Sequence, residues 1–234
     1  MDLIWNGLVE AFRLLFGGDA AVYEIMLRSL WVSGLALLFA SIIGLPLGMT
    51  LAVSDFWGRR FAVTVVNSGM GVPPVVVGLI VALLLSRNGM FGFMRLLYTN
   101  WAMVIAQILI ALPLVAGLSL AAVQQLDPGY RLQIVSLGAG RFRTFWLLLR
   151  EIWVTLLAAV MAAFGGIISE VGAVMMVGGN IRGQTQVLTT GVVEETRAGR
   201  FATALALSII LLLLVFTANL GMTIIQQRGR RRGH

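Results

Sequence analysis

The sequence predicts an all-α integral membrane protein with about five transmembrane helices. Of its 234 residues, 59% are hydrophobic and only 12% are charged, whereas a soluble domain carries about 25% charged residues. Long apolar runs alternate with short polar segments along the chain, and a run of about 20 apolar residues is enough to cross a bilayer. Composition and segment length together therefore predict the fold class.

The composition also excludes several classes of function. Cysteine is absent and the single histidine is His234, which excludes disulfides and thiolate sites and leaves almost no material for imidazole catalysis or a metal site. All 17 basic residues are arginine, giving a net charge of +7 and a pI near 11.4. These arginines lie in short loops between apolar runs, a pattern typical of membrane topology signals, so no nucleic-acid partner is expected.

Residues 1–21 are predicted to form an extracytoplasmic amphipathic segment. Apolar residues there are interspersed with Asp2, Glu10 and Arg13, and the basic region that opens a cleaved signal peptide is missing. The pair Gly17-Gly18 should end this helix. At this level both a surface position and an inserted position remain open.

Five apolar runs within residues 22–226 are predicted to span the membrane and to form one transmembrane domain. They are Ser29–Val53, Phe61–Ser86, Trp101–Val123, a run that begins at Ile152–Ile168 and continues to Val177, and Phe201–Gln226. At 1.5 Å per residue, about 20 residues cross a hydrocarbon core of roughly 30 Å. The fourth run is rich in alanine and glycine, which favours close contact with other helices.

The second run predicts a segment that lines a translocation pathway. Pro73 and Pro74 remove two backbone donors and bend the helix, which a membrane tolerates only where protein or a water-filled path satisfies the freed carbonyls. Asn67 and Ser68 lie close by in the sequence. The alternative is a bend that serves packing alone.

Glu170 is a further candidate for the pathway. A carboxylate between apolar segments is costly to bury and marks a functional or protein-paired position. A glutamate at an interfacial helix end is the alternative.

A polar loop after the fourth run offers hydrogen-bond donors. Residues 178–200 carry charges of both signs and include Asn180, Arg182, Gln184 and Thr185. Donors of this kind can bind an anion, so these four residues are candidates for a ligand contact on the extracytoplasmic side. Donors alone do not determine which ligand is bound.

The segment Asp127–Trp146 is a polar island between two apolar runs, and it predicts a short helix outside the hydrocarbon. Asp127 can cap a helix that starts at Pro128, and Gly138 can end it.

Tyr130, Ile134 and Leu137 recur at helical spacing in this island and predict one apolar face. The face indicates either a docking helix for a cytosolic partner or a loop helix that lies on its own protein or on the bilayer.

The arginine distribution predicts the orientation of the chain. Ten arginines fall on the side of the Asp127 island and seven fall on the other side, together with six acidic residues. The positive-inside rule therefore places the island in the cytoplasm together with residues 227–234, a basic tail. Five spans then leave the N-terminus outside.

Three stretches resemble a known family. SLGAGRFRTFW, Ser136–Trp146, resembles the EAA loop of ABC-importer permeases, in which a glycine closes a coupling helix that fits a groove on the ATPase. VPPVVVGLIVALLLSRNG, Val72–Gly89, and SEVGAVMMVGGNIRGQTQVLTT, Ser169–Thr190, resemble the molybdate and tungstate branch of that family. The last stretch looks most like the tungstate permeases, and the likeness covers roughly residues 29–226.

The resemblance implies a homodimer in the cell inner membrane, an ABC ATPase dimer that binds ATP and Mg²⁺, and an extracytoplasmic oxyanion-binding protein. It also implies that ATPase coupling falls on Tyr130, Ile134, Ser136, Leu137, Gly138, Ala139 and Arg141. One departure is clear, because Leu132-Gln133-Ile134 stands where the family usually has Glu-Ala-Ala. The usual glutamate contact to the ATPase cannot be carried over.

The expected function is that of a permease subunit of an ATP-driven oxyanion importer, with tungstate first. The sequence contains no phosphate-binding loop, so this chain is expected to be non-catalytic and to hold no cofactor of its own. Alternatives are a permease for molybdate, sulfate or another anion, and a structural membrane subunit. An intramembrane enzyme would need a second group beside Glu170.

Overall fold

The computed structural model describes residues 2–232, except for the side chains at positions 2, 3, 128, 131, 132, 135, 141 and 229–232. Within these bounds the chain forms ten α-helices and one short 3₁₀ turn, with no strand in the described part. Four of the described helices are long and apolar enough to cross a membrane, and the number is five if one sharply bent pair of shorter helices is counted as a single span. The all-α membrane fold predicted from the sequence is confirmed.

The N-terminal part consists of two helices, α1 at Asp2–Phe16 and α2 at Ala20–Val53. The side chain of Asp19 accepts a hydrogen bond from the backbone nitrogen of Ala21 (2.9 Å) and so begins α2 well before the predicted start. Helix α1 packs against the last helix of the chain through Ala11, which is buried. Its opposite side exposes large apolar side chains, namely Ile4, Trp5, Leu8, Val9, Phe12 and Phe16.

The second span is divided into α3 at Arg59–Met70 and α4 at Pro74–Leu85. The two axes meet at 103° across a short break. A proline bend was predicted here, and the structure has a complete interruption. Each half contains 12 residues, which corresponds to about 18 Å of helix and is too short to cross the hydrocarbon core alone.

Helix α5, at Asn100–Gln124, is the centre of the bundle. It follows a loop that contains the 3₁₀ turn Gly92–Met94. The side chains of α5 that are fully enclosed by the other helices include Ala106, Ala111, Val115 and Ala116. Small residues at this centre let the surrounding helices approach closely.

The polar island forms α6 at Pro128–Ser136 and leads into α7 at Arg141–Ile168. Helix α6 packs on α7 and on the ends of α2 and α5 through a cluster that contains Met49, Val123 and Leu148. The small residues of α7 divide into two groups. Ala159 and Ala163 are buried in the bundle, whereas Ala158, Ala162 and Gly166 are exposed.

The C-terminal part contains α8 at Gly172–Gly178, α9 at Leu188–Arg197 and α10 at Phe201–Arg232. The fourth run was predicted as one span up to Val177, but it breaks after Ile168 and resumes as α8. Helix α10 confirms the fifth predicted span. The predicted basic tail lies partly outside the described residues.

Two ends of the bundle can be distinguished. The guanidinium of Arg59 donates to the carbonyl of Leu51 (2.9 Å) at the end where α6 packs. Gln226 of α10 donates to the carbonyl of Val154 (3.1 Å), so the C-terminal half of α10 runs toward that same end. The segments with ten of the arginines therefore share one end, as their distribution in the sequence predicts.

Candidate functional site

Helix α6 begins and ends as its sequence predicts. The carboxylate of Asp127 accepts a hydrogen bond from the backbone nitrogen of Gly129 (2.6 Å). At the other end Gly138 has a φ of 75°, and the backbone nitrogen of Ala139 donates to the carbonyl of Ile134 (3.3 Å). This is the arrangement in which a left-handed glycine terminates a helix and satisfies its last carbonyls.

The predicted apolar face of α6 is divided in the structure. Ile134 is only 6% exposed and packs against Met49, Leu148 and Ile152 of the same chain. Leu137 is 86% exposed because it lies beyond the last helical residue, where the chain turns away. The predicted face therefore does not lie on one side of α6. Ile134 anchors α6 to its own bundle, as one of the two alternatives expected, and the coupling role of the group stays a prediction.

The other residues predicted to couple to the ATPase include both partly buried and exposed side chains. Tyr130 is partly buried, and its hydroxyl donates to a carboxylate oxygen of Glu151 (3.1 Å). Burial, followed by this contact with Glu151, raises the pKa of Tyr130, so it is a neutral donor at physiological pH. Ser136 is exposed, Ala139 is partly buried, and the side chain of Arg141 lies outside the described residues.

A second group of candidate residues surrounds the break between α3 and α4. Asn67, Ser68 and Pro73 are exposed and Pro74 is partly exposed. Pro73 precedes the first residue of α4 and Pro74 is that residue, a position where the missing backbone donor costs nothing. The two prolines thus start a new helix, which explains why the span breaks there.

A second break, between α7 and α8, lies close to the first. The carboxylate of Glu170 accepts a hydrogen bond from the backbone nitrogen of Ala173 (3.0 Å) and caps the start of α8. Helices α4 and α8 are in close contact, because a β-carbon added at Gly78 would lie 2.5 Å from the α-carbon of Ala173. Glu170 is thus a helix-end residue, and the structure brings it to the same region as the start of α4.

Gln107 of α5 stabilises this second break. Its side-chain nitrogen donates to the carbonyl of Ile167 (2.9 Å), and the residue is only 3% exposed. The carbonyl freed by the end of α7 is thereby satisfied inside the bundle, as a broken helix at membrane depth requires. A polar residue inside an otherwise apolar span is the signal in the sequence that indicates such a role.

The predicted anion-contact loop has most of its donors already engaged. The side chain of Glu194 accepts hydrogen bonds from Asn180 (2.9 Å), Arg182 (2.7 Å) and Gln186 (2.6 Å). Thr185 is buried and donates to the carbonyl of Gly178 (2.6 Å). Of the four predicted donors, Gln184 alone is exposed and has no side-chain hydrogen bond in the described structure.

Three of these four residues therefore already have an acceptor within the protein, and their contact with an anion stays a prediction. The main acceptor is Glu194, a residue of α9 that brings a carboxylate into the centre of the loop. Arg28 connects the loop to α2, because its guanidinium donates to the backbone carbonyls of Gln186 (2.9 Å) and Gly183 (3.1 Å). Neither Glu194 nor Arg28 was identified from the sequence, although charged residues inside or next to apolar runs are the available signal.

The end of α9 carries a further ion pair. The carboxylate of Glu195 bonds to Arg200, and this hydrogen bond is the main cause of a lowered pKa of Glu195. Arg182 also reaches Glu195 (3.3 Å). The whole segment is held together by its own charges.

These features define a multi-pass membrane protein in which two helix breaks lie close together, and broken helices are found in membrane transport proteins. Residues 44–231 match the family described as binding-protein-dependent transport system inner membrane component. The chain belongs to this family.

Comparison with individual proteins agrees with this assignment. The chain is 41% identical over 221 residues to a tungstate uptake system permease of Peptoclostridium acidaminophilum, covering 94% of this chain and 96% of that one. It is 34% identical over 219 residues to the tungstate uptake system permease of Campylobacter jejuni, covering 94% and 92%. A bacterial ABC transporter involved in alginate import matches the fold with a TM-score of 0.77 at 20% identity, covering 94% of this chain and 83% of that one.

Proposed function

We propose that this chain is the permease subunit of an ATP-driven importer for tungstate. The observation that carries the proposal is the similarity to two tungstate uptake permeases, which extends over nearly the full length of each chain. Similarity confined to the helices would indicate the fold alone. Here the alignments cover 94% of this chain and 96% and 92% of the two relatives.

The energy for import comes from a separate ATPase dimer in this proposal, and ATP and Mg²⁺ bind there. Helix α6 is the contact, with Leu137 and Ser136 exposed toward the ATPase. Ile134 and Tyr130 hold the helix against the permease. A movement of the ATPase against Leu137 would therefore displace α6 together with α7 and the ends of α2 and α5, on which α6 packs.

A second copy of the chain completes the pathway in this proposal. The exposed side of α4 is apolar from end to end, with Val75, Val76, Leu79, Ile80 and Leu83 each at least partly open. The exposed small residues of α7 permit a close approach of another helix. The anion would pass between the two copies near Asn67, Ser68, Pro73, Pro74 and Glu170.

High-affinity selection of the anion belongs to an extracytoplasmic binding protein in this proposal, because a permease must release its cargo as well as accept it. The chain is placed in the cell inner membrane with its C-terminus in the cytoplasm, following the arginine asymmetry.

Uptake measurements in a strain that lacks this chain test the proposal. We expect tungstate uptake to be lost and to return with the wild-type chain, with molybdate and sulfate uptake changed much less. Equal loss of molybdate uptake would make the protein a broader oxyanion permease. Unchanged uptake of all three anions would refute the transport function.

A further inference from the structure

The loop between α4 and α5 forms a cleft that no step described so far uses. It lies at the end of the bundle opposite α6 and has a volume of about 1110 Å³. Its wall consists of Leu85, Arg87, Gly92, Phe93, Arg95, Leu97 and Tyr98.

Two arginines in this wall have no acidic partner. In the described structure neither Arg87 nor Arg95 has a carboxylate within ion-pair distance or a side-chain hydrogen bond. The sequence explains this, because no acidic residue occurs between Asp55 and Asp127. Arg28, Arg182 and Arg200, on the same side of the membrane, are all paired with glutamates.

The backbone around the cleft is strained in a defined way. The non-glycine residues with left-handed φ in the described backbone are Arg95 (50°), Tyr98 (64°) and Asn180 (49°). Arg95 and Tyr98 belong to the wall of the cleft, and the backbone nitrogen of Tyr98 donates to the carbonyl of Val177 (2.8 Å), three residues before Asn180. Such conformations cost about 1–3 kcal/mol each and concentrate at functional sites.

The position of the cleft relates it to the two breaks. Helix α4 starts at the first break with Pro74 and ends beside the cleft with Leu85, a length of about 18 Å. Its partner α8 leads from the second break to the strained backbone at Tyr98. The cleft therefore lies at one end of α4, and the candidate pathway residues lie at the other end of the same helix.

We propose that this cleft is a receiving site for the tetrahedral oxyanion on the extracytoplasmic side, with Arg87 and Arg95 as its ligands. The assignment rests on the proposed function and adds the residues that accept the anion from outside. Two guanidinium groups supply charge-assisted hydrogen bonds to such an anion. Because both are exposed to water, the attraction is weak enough for the anion to move on.

Arginine modification in the assembled transporter tests the site directly. The permease, in nanodiscs of phosphatidylcholine with its ATPase, is treated with phenylglyoxal, and modification is quantified by mass spectrometry at each arginine. Tungstate should slow the modification of Arg87 and Arg95 relative to sodium chloride of equal ionic strength. Arg197, an exposed arginine on the same side without an ion pair in the described structure, should be modified equally in both salts.

Tungstate uptake by arginine variants is the second test of the site. Arg87→Gln and Arg95→Gln should each lower tungstate uptake roughly tenfold at a fixed amount of transporter, since a hydrogen bond to a charged group is worth about that factor. Arg197→Gln should transport at the wild-type rate, and binding-protein affinity should be unchanged in all three variants.

Three results would overturn the proposal. Wild-type uptake by the Arg87→Gln, Arg95→Gln double variant would refute the receiving site, while the proposed import of tungstate would still stand. Protection that appears only when phosphatidylglycerol is added would assign the cleft to lipid phosphate. A loss of binding-protein affinity equal to the loss of uptake would assign it to protein docking. Failure of the wild-type chain to import tungstate would instead refute the proposed function.

Discussion

Two polar segments at opposite ends of the bundle differ in how they use their hydrogen-bonding groups. The outer segment 178–200 satisfies its donors internally, mostly through Glu194. Helix α6 satisfies its ends through Asp127 and Gly138 but leaves Leu137 almost fully exposed. The outer segment thus has most of its donors engaged within the protein, both internally and with Arg28 of α2, whereas α6 has both an anchored side and an open side. Residue type alone does not distinguish a group that is available to a partner from one that is already used.

The largest effect is expected for Ile134→Asp, on the anchored side of α6. The change buries an unpaired carboxylate among Met49, Leu148 and Ile152, which costs several kcal/mol. We expect less folded protein in the membrane and a lower unfolding temperature. If Ile134→Asp accumulated to wild-type amounts with wild-type thermal stability, the anchoring role of Ile134 would be wrong.

Glu194→Ala is expected to have the next largest effect, at the outer segment. It leaves the side chains of Asn180 and Gln186 without their acceptor, at about 1–3 kcal/mol for each donor that stays buried, and leaves Arg182 with Glu195 alone. We expect faster trypsin cleavage at Arg182 and Arg197 from the extracytoplasmic side. Glu10→Ala is the matched control, because Glu10 makes only a long contact of 3.9 Å with the exposed Arg13. Equal cleavage of both variants would contradict the account of the outer segment.

Gly138→Val should have a smaller effect, confined to the end of α6. A β-branched residue at a φ of 75° is strained by about 1 kcal/mol or more. Gly140→Val is the control, because Gly140 has an extended backbone with a φ of −64° and open space around it. We expect less ATPase to co-purify with Gly138→Val than with the wild-type chain. Gly140→Val should co-purify with the wild-type amount. Equal ATPase co-purification by the two variants would mean that the left-handed turn at Gly138 is not required for ATPase binding.

The smallest effect concerns pH and the outer segment. The pKa of Glu195 is lowered below its ordinary value of 4.5 by the hydrogen bond with Arg200. A lowered pKa stabilises the folded state above the ordinary value, and the contribution is lost as pH falls through the folded-state pKa. The opening of the segment, measured by amide hydrogen exchange after correction for the intrinsic effect of pH, should therefore be constant from about pH 5 to 8. It should increase below about pH 4. A rise already near pH 6 would contradict this assignment.

The sequence predicted the features of this fold that depend on local rules. The cap at Asp127, the stop at Gly138 and the interruption at Pro73-Pro74 each follow from the conformational limits of one or two residues, and all are present. Helix lengths were predicted less well. Helix α2 starts at Ala20, after the Asp19 cap, and the charges of Glu24 and Arg28 are accommodated inside the helix because the two side chains pair with each other.

The candidate sites depended on contacts between distant residues and could not be predicted to the same extent. Ile134 and Leu137 are both apolar, and only the packing of α6 on Leu148 and Met49 separates their roles. Asn180 and Arg182 are strong donors, but Glu194, more than ten positions away, accepts from both. Spacing along one helix contains no information about such partners.

Leu137→Asp tests the central claim, that this permease imports tungstate by means of an ATPase bound at the open side of α6. Leu137 is 86% exposed, so the substitution should leave folding and membrane insertion unchanged. The measurement is tungstate uptake into proteoliposomes that contain the permease, its ATPase and internal ATP, with tungstate-loaded binding protein outside. We expect ATP-dependent uptake with the wild-type chain and nearly none with Leu137→Asp at an equal amount of permease. Wild-type uptake by Leu137→Asp with a full complement of ATPase, or wild-type uptake without ATP, would contradict the account.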